Sequence, residues 1–403
     1  MELESDHPGV GDEHNLVLAG FCLFADPPKE SAGAAIIRLR SAGVRVKVLS
    51  GDAAPALRHL ASALGLPSKA LLTGPEIARL SDGALAARAS TTDLFARVTP
   101  DQKTRIIRAL QARNHTVGFL GDGINDAPAI RAADAGMSVE GATDVARAAA
   151  DLILLAPDLG VVADGVAEGR RTSANIMKYV RMGTSSNVGN MVSMAFASLF
   201  LPFLPLTALQ ILLNNLLYDL SEVGIPFDEV EQRDVCRPHD WDMKGIFHFT
   251  AIMGPLSSAF DLLTFAILIL GFNASPETFR AAWFLESMAT QIMVVFLIRS
   301  SAPVWAASKP HPYLVVMSLG AFAGALLLVF SPVGASLGFS APSWPLVLVL
   351  TSVVVAYLAA AEALKHVALN SQRRPRRGHH RSAKQRCAAD EGCSPAPPRS
   401  RLT

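Results

Sequence analysis

Gly121-Asp122-Gly123-Ile124-Asn125-Asp126-Ala127-Pro128 follows an apolar, strand-like run, Val117 to Leu120, and opens into a helix-like run near Pro128. Two carboxylates four residues apart, on a glycine-rich turn at the carboxyl end of a strand, make a seat for a hard cation. Mg2+ takes oxygen ligands and shares its shell with water and substrate phosphate. The crevice beyond the carboxyl ends of parallel strands is also where open α/β sheets bind ligands. On spacing alone, a surface turn rich in Gly, Asn and Asp reads the same way. The neighbouring stretches decide between the two.

Upstream, Leu16 to Phe24 is an apolar run of strand length, and Asp26-Pro27-Pro28 supplies a helix start with Asp as cap and proline in the first turn. The pattern predicts a helix over Lys29 to Ser41, ended by Gly43, then a β-branched strand from Val44 to Leu49. Ser50-Gly51-Asp52 stands at the end of that strand, before a helix that closes at Gly65. Residues Leu66 to Thr92 give no clear pattern. Leu94 to Val98 reads as a strand, and Thr99-Pro100-Asp101-Gln102 has the spacing of a capping box that places Lys103 in the first helical turn. Further strands are predicted at Gly136–Val139 and Leu152–Leu155. Strands alternating with helices imply a doubly wound α/β domain with a mostly parallel sheet over residues 16–158. On such a sheet Ser50, Lys103, Asp122 and Asp126 lie at or near the carboxyl edge. A hydroxyl and an ammonium that bind phosphoryl oxygens, beside carboxylates that hold Mg2+, suit phosphoryl transfer. Singly, a cap serine, a surface lysine and turn aspartates are commoner; their joint placement favours the chemistry.

Composition divides the chain. Of 403 residues 50% are hydrophobic, and mean hydropathy is +0.32. Charges occur throughout up to Gly183, and long apolar runs follow, several near the roughly 20 residues that cross a bilayer as a helix. A net charge of +1 gives no reason to expect a nucleic-acid partner. Cys22, Cys236, Cys387 and Cys393 are too dispersed for a disulfide framework or a zinc site. Residues 1–15 are acidic and lack the apolar core of a signal peptide, so the soluble half is expected on the cytoplasmic side.

A helix over residues 159–183 ends in a basic cluster (Arg170, Arg171, Lys178, Arg181) and reads as a stalk entering the bilayer. Six spans are expected within residues 184–370, at 184–204, 206–226, 249–271, 280–299, 313–330 and 344–364. Loops holding Lys and Arg alternate with loops holding none, which predicts both termini on the cytoplasmic side of the cell membrane. Polar groups inside spans are costly and therefore functional by default. They include Asn187 and Asn190, then Asn214, Asn215, Asp219 and Glu222, then Asp261, Glu286 and Gln291. Asn215 and Asp219 share a helix face at i, i+4; together these carboxylates and amides give an oxygen-rich path suited to a hard cation, with ion binding expected at Asp219. Helix–helix hydrogen bonding is the simpler account of Asn187 and Gln291. Residues 371–403 read as a basic, disordered tail beside membrane lipid.

Together these stretches resemble the C-terminal half of a P-type cation-transporting ATPase. Asp26-Pro27-Pro28-Lys29, Ser50-Gly51-Asp52 (serine for the family's threonine), Thr99-Pro100-Asp101-Gln102-Lys103 and the Gly121–Pro128 turn match the phosphorylation-domain motifs in order. The membrane half is similar to the Mg2+-transporting branch through Thr184-Ser185-Ser186-Asn187-Val188-Gly189-Asn190, Phe200-Leu201-Pro202-Phe203-Leu204-Pro205 and Asn215-Leu216-Leu217-Tyr218-Asp219. The resemblance implies an incomplete, haloacid-dehalogenase-like phosphorylation domain followed by a membrane domain, with Mg2+ and ATP as cofactors. It implies that Asp122 and Asp126 bind the catalytic Mg2+ and that Lys103 and Ser50, with Asp52, handle the phosphoryl group. Gly51, Gly121, Gly123 and Asn125 belong to the cofactor-binding turns, and Asn190, Asn215, Asp219 and Glu222 to the transport site. No Asp-Lys-Thr-Gly-Thr acceptor motif occurs in these 403 residues, nor do the nucleotide-binding and actuator domains or the first four membrane helices of the family. Covalent catalysis needs its nucleophile, so this chain alone is not expected to complete an aspartyl-phosphate cycle; a separately encoded N-terminal half could supply it. The alternatives are a non-catalytic cation-binding or pump-partner membrane protein, and a membrane-tethered phosphatase of the haloacid-dehalogenase type.

Overall fold

The computed structural model describes residue 20 and residues 28–67, 70–156, 158–231, 235 and 242–369. The predicted strand at Leu16–Phe24, the cap at Asp26, the four cysteines, the acidic segment 1–15 and the tail 371–403 lie outside the described residues. The chain divides into two units, Met1–Arg38 with Val46–Val162, and Leu39–Arg45 with Ala163–Thr403.

In the first unit helices α1 (Glu30–Ser41), α2 (Ala54–Ala63), α3 (Gly74–Arg79), α4 (Asp82–Thr91), α5 (Pro100–Gln111), α6 (Ala127–Ala132) and α7 (Asp144–Ala149) are interleaved with six strands. The strands are β1 (Val48–Leu49), β2 (Leu71–Thr73), β3 (Leu94–Ala96), β4 (Gly118–Leu120), β5 (Ala135–Val139) and β6 (Leu152–Leu154). All pairings are parallel, as the strand–helix alternation implies. The ladders, however, form two three-stranded sheets, ordered β1-β3-β2 and β4-β5-β6. The strand expected over Val44–Leu49 pairs only over its last two residues. Its beginning is spent on closing α1: Gly43, at φ +74°, lets the Val44 N–H turn back to Leu39 O at 2.9 Å. Val44 therefore caps a helix instead of joining a sheet. The core of this unit is Leu72, Ile77, Leu85, Phe95, Ile106 and Leu110, with a second cluster around Ile36, Leu57 and Leu94.

The segment that gave no clear pattern, Leu66 to Thr92, holds β2, α3 and α4. It carried a readable signal: Thr73-Gly74-Pro75-Glu76 is a capping box, with the Thr73 N–H donating to Glu76 Oε2 at 2.7 Å. That bond holds the Glu76 carboxyl below the usual carboxylate range.

The second unit is helical. Stalk and first expected span are one continuous helix, α8 (Leu159–Phe200). It is followed by α9 (Ala208–Glu222), α10 (Met243–Ala266), α11 (Pro276–Ile298), α12 (Pro312–Phe330), α13 (Pro332–Ser336) and α14 (Trp344–Leu369). Among the described residues four helices are long and apolar enough to cross a membrane: Met243–Gly271, Pro276–Ile298, Pro312–Phe330 and Trp344–Leu369. The first two of the six expected spans fall short of that standard. The 15 residues of α9 include Asn214, Asn215, Asp219 and Glu222, and polar residues likewise interrupt α8. α11 is the most enclosed, with Phe279, Trp283, Phe284, Met288 and Ile292 in the main apolar core.

Outside the apolar spans, Asp228 ties the helices together. Both its oxygens accept from Arg299 Nη1, at 2.6 and 2.7 Å, and Oδ2 also accepts from Lys178 Nζ at 3.1 Å. Burial alone would raise the Asp228 carboxyl, but Arg299 and Lys178 outweigh it and hold the group below the usual carboxylate range. A folded-state value below the unfolded one stabilises above the unfolded pKa of about 3.9 and loses that contribution as pH falls through the folded value. Thermal unfolding of the chain is therefore expected to shift to lower temperature on acidification below about pH 5, and less so in Asp228→Asn. At neutral pH the substitution should cost about 3–5 kcal/mol, because it leaves Arg299 buried without its counter-charge.

Candidate phosphoryl-transfer site

The Gly121–Pro128 turn leaves β4 and enters α6 through a single 3-10 turn, Ile124–Asp126. Its backbone is pinned to the neighbouring strand and beyond. The Gly121 N–H donates to Met137 O at 3.1 Å, and the buried Ser138 hydroxyl donates to Gly121 O at 2.8 Å. The Thr143 N–H donates to Asp122 O at 3.1 Å. Ser138 and Thr143 thus brace the turn, and neither was singled out from sequence. A serine on the inner strand of a ladder and a threonine at the N-cap of α7 were the available signals. Gly121 is required by space: a Cβ there would lie 2.6 Å from Asp126 Cβ.

Lys103 and Asp126 are brought together. The capping box at Thr99 forms as predicted, with Thr99 N–H to Gln102 Oε1 at 3.1 Å and Gln102 N–H to Thr99 Oγ1 at 3.3 Å. It starts α5 so that Lys103, one residue on, reaches Asp126 Oδ1 at 2.6 Å. Both side chains are about one-seventh exposed (15% and 13%), so the pair is shielded yet open to a ligand. Asp122 and Asn125 are exposed, and the Asp122 carboxylate accepts no hydrogen bond among the described residues.

Ser50 stands at the carboxyl end of the other sheet. Its N–H donates to Phe95 O at 2.9 Å and its carbonyl accepts from Val98 N–H at 3.1 Å, so the turn is anchored on both sides. The Ser50 hydroxyl donates to Asp52 Oδ2 at 2.7 Å, and the Asp52 N–H donates back to Ser50 Oγ at 3.1 Å. Gly51 sits exposed between them. Donation to a phosphoryl oxygen would require the hydroxyl to turn away from Asp52. Among the described residues no hydrogen bond joins Ser50 or Asp52 to Lys103, Asp122 or Asp126.

The donor set fits Mg2+. One free carboxylate and one half-shielded carboxylate offer hard oxygens, and no group of three His, Cys, Asp or Glu occurs among the described residues. A two-carboxylate seat completed by water and phosphate oxygens is the usual arrangement for this ion and a poor one for zinc. A bound Mg2+ would supply charge neutralisation for phosphoryl oxygens, with Asp122 and Asp126 holding it and Lys103 fixing the position of Asp126.

In the helical unit the predicted transport residues separate onto two faces of α9. Asn214, Tyr218, Ser221 and Glu222 are buried, whereas Asn215 and Asp219 are exposed. Both oxygens of Glu222 are buried, and the group beside them is the Tyr218 hydroxyl. Asn190 of α8 is half-buried and its Oδ1 accepts from Ser287 Oγ at 3.5 Å.

Comparison with known proteins agrees with both units. Residues 2–134 match the haloacid dehalogenase-like hydrolases, and residues 203–367 match the C-terminus of the cation-transporting ATPases. The chain therefore corresponds to the C-terminal portion of a P-type cation ATPase. It is 42% identical over 366 residues to Magnesium-transporting ATPase, P-type 1, of Salmonella typhimurium, covering 90% of this chain and 40% of that protein. Identity to the Escherichia coli K12 protein of the same name is 42% over 358 residues, covering 88% and 40%. A calcium-transporting ATPase of Bacillus subtilis is 29% identical over 366 residues, covering 87% and 41%. The chain thus spans about two-fifths of the length of these relatives.

Proposed function

We propose that this chain is the phosphoryl-handling and membrane part of an ATP-driven pump that moves Mg2+ across the cell membrane through an aspartyl-phosphate cycle. The observation that carries the reading is the 2.6 Å ion pair between Lys103 and Asp126 beside the free carboxylate of Asp122. A pure cation-binding protein has no use for a lysine placed to hold a phosphoryl group. Support for Mg2+ comes from the higher identity to magnesium-transporting than to calcium-transporting relatives. The acceptor aspartate comes from sequence outside these 403 residues, in the same polypeptide or in a second chain. β1 and β4 are the end strands of their ladders, so a further strand added beside either one would carry its residues to the end where Ser50 or Asp122 stands. Asn215 and Asp219 form the transport site with Asn190 and Glu222, within six spans with both termini cytoplasmic. The domain boundaries follow: phosphorylation domain 16–158, stalk 159–183, membrane domain 184–370.

The test is phosphorylation of membranes by γ-labelled ATP, with this chain alone and then together with the N-terminal portion of a magnesium-transporting relative. A hydroxylamine-sensitive label that needs both portions is the expected result. Label on this chain alone would reveal a nucleophile here and overturn the assignment of roles. No label in either case would favour a non-catalytic membrane protein.

A further inference from the structure

Asp261 of α10 and Glu286 of α11 are each 2% exposed, and Trp283, which bonds Asp261, stands one helical turn before Glu286 on α11, so the two carboxyl groups are neighbours. Their surroundings differ. Asp261 Oδ1 accepts the indole N–H of Trp283 at 2.9 Å, and Oδ2 accepts the Ser193 hydroxyl of α8 at 2.5 Å. Donors aimed at both oxygens are what an ionised carboxylate requires. Glu286 has no such support: among the described residues no N–H or O–H donor reaches its buried Oε2. Among the described residues no Lys, Arg or His forms an ion pair with either carboxyl. From α14 the titratable group near the pair is the phenol of Tyr357; α8 contributes the uncharged Ser193.

Two adjacent buried carboxylates without a counter-charge repel each other and lack solvation. One proton removes the repulsion and supplies the O–H that the pair otherwise lacks. Each Asp261 oxygen holds one donor and keeps a second lone pair, which a Glu286 O–H can use. We propose that Asp261 and Glu286 form a proton-binding site, in which Glu286 carries one proton and donates it to Asp261, with Trp283 and Ser193 fixing Asp261 as the acceptor. The site lies on α10 and α11, away from the Asn215–Asp219 face of α9, and Ser287, next to Glu286, bonds Asn190 of α8.

Infrared difference spectroscopy on the full chain in lipid nanodiscs at neutral pH tests this. The wild type minus Glu286→Gln spectrum is expected to contain one carboxylic-acid C=O band that moves to lower frequency in D2O, a loss of one acid equivalent. A difference spectrum containing only carboxylate bands would overturn the proposal. Should Glu286→Gln fail to fold, Asp261→Asn gives a second reading, because it replaces the carboxylate acceptor by an amide carbonyl. The acid band is then expected to shift, and an unshifted band would also overturn the proposal.

Discussion

Replacing Lys103 by alanine in a pump that carries these residues is expected to lower phosphoenzyme formation by about 10²–10³-fold, the usual cost of removing one preorganised charge-stabilising donor. The fold should survive. The capping box that starts α5 uses Thr99 and Gln102, and the helix keeps Ile106, Ile107 and Leu110 buried in the turns that follow Lys103. What changes is local: Asp126 loses its partner at 2.6 Å and is free to swing from the place where it would meet Mg2+. Lysine to arginine is not expected to rescue, because the longer planar guanidinium cannot occupy the same short contact beside Gly121. The check is the steady-state level of acid-quenched phosphoenzyme at saturating ATP and Mg2+. A loss smaller than tenfold would sink the assigned role of Lys103.

The second large effect is expected at Asp219. Asp219→Asn keeps size and polarity and removes the charge, which should weaken divalent-cation affinity by about ten- to a hundredfold, the worth of one charge-assisted contact. Its position on the exposed side of α9 makes the experiment clean. The side chain supports no packing among the described residues, so stability should change by no more than about 0.5 kcal/mol. Glu222 does not offer the same separation, because it is buried and its substitution would alter packing as well. Cation-dependent ATP hydrolysis and cation uptake, measured with unfolding in parallel, decide the matter. Unchanged cation dependence would remove Asp219 from the transport site.

Much of the first unit was legible because its punctuation is chemical. The capping box at Thr99, the proline at the next position and the glycine at 43 each have one local solution, and each adopts it. The carboxylates at 122 and 126 were readable because a glycine turn after a strand constrains where they can go. Register was less legible. Nothing in Val44–Leu49 shows that the Val44 N–H is spent on Leu39. For α9, periodicity correctly put Asn215 and Asp219 on one face but could not say which face packs. That depends on the partners of the helix, and Asn214, Tyr218, Ser221 and Glu222 are the residues that turn inward. The span count met the same limit. Length and composition single out four helices, and the polar residues that make α8 and α9 candidates for transport are also what lowers their hydropathy.

α8 carries one more implication. Its 42 residues contain no proline, and at 1.5 Å per residue the helix is about 63 Å long. Sharp kinks in long helices arise at proline, at Gly/Ser pairs or at inserted groups, and in α8 only the Gly183-Thr184-Ser185-Ser186 run is of these kinds. Leu159 at its start and Asn190 and Ser193 near its end therefore belong to one unbroken element.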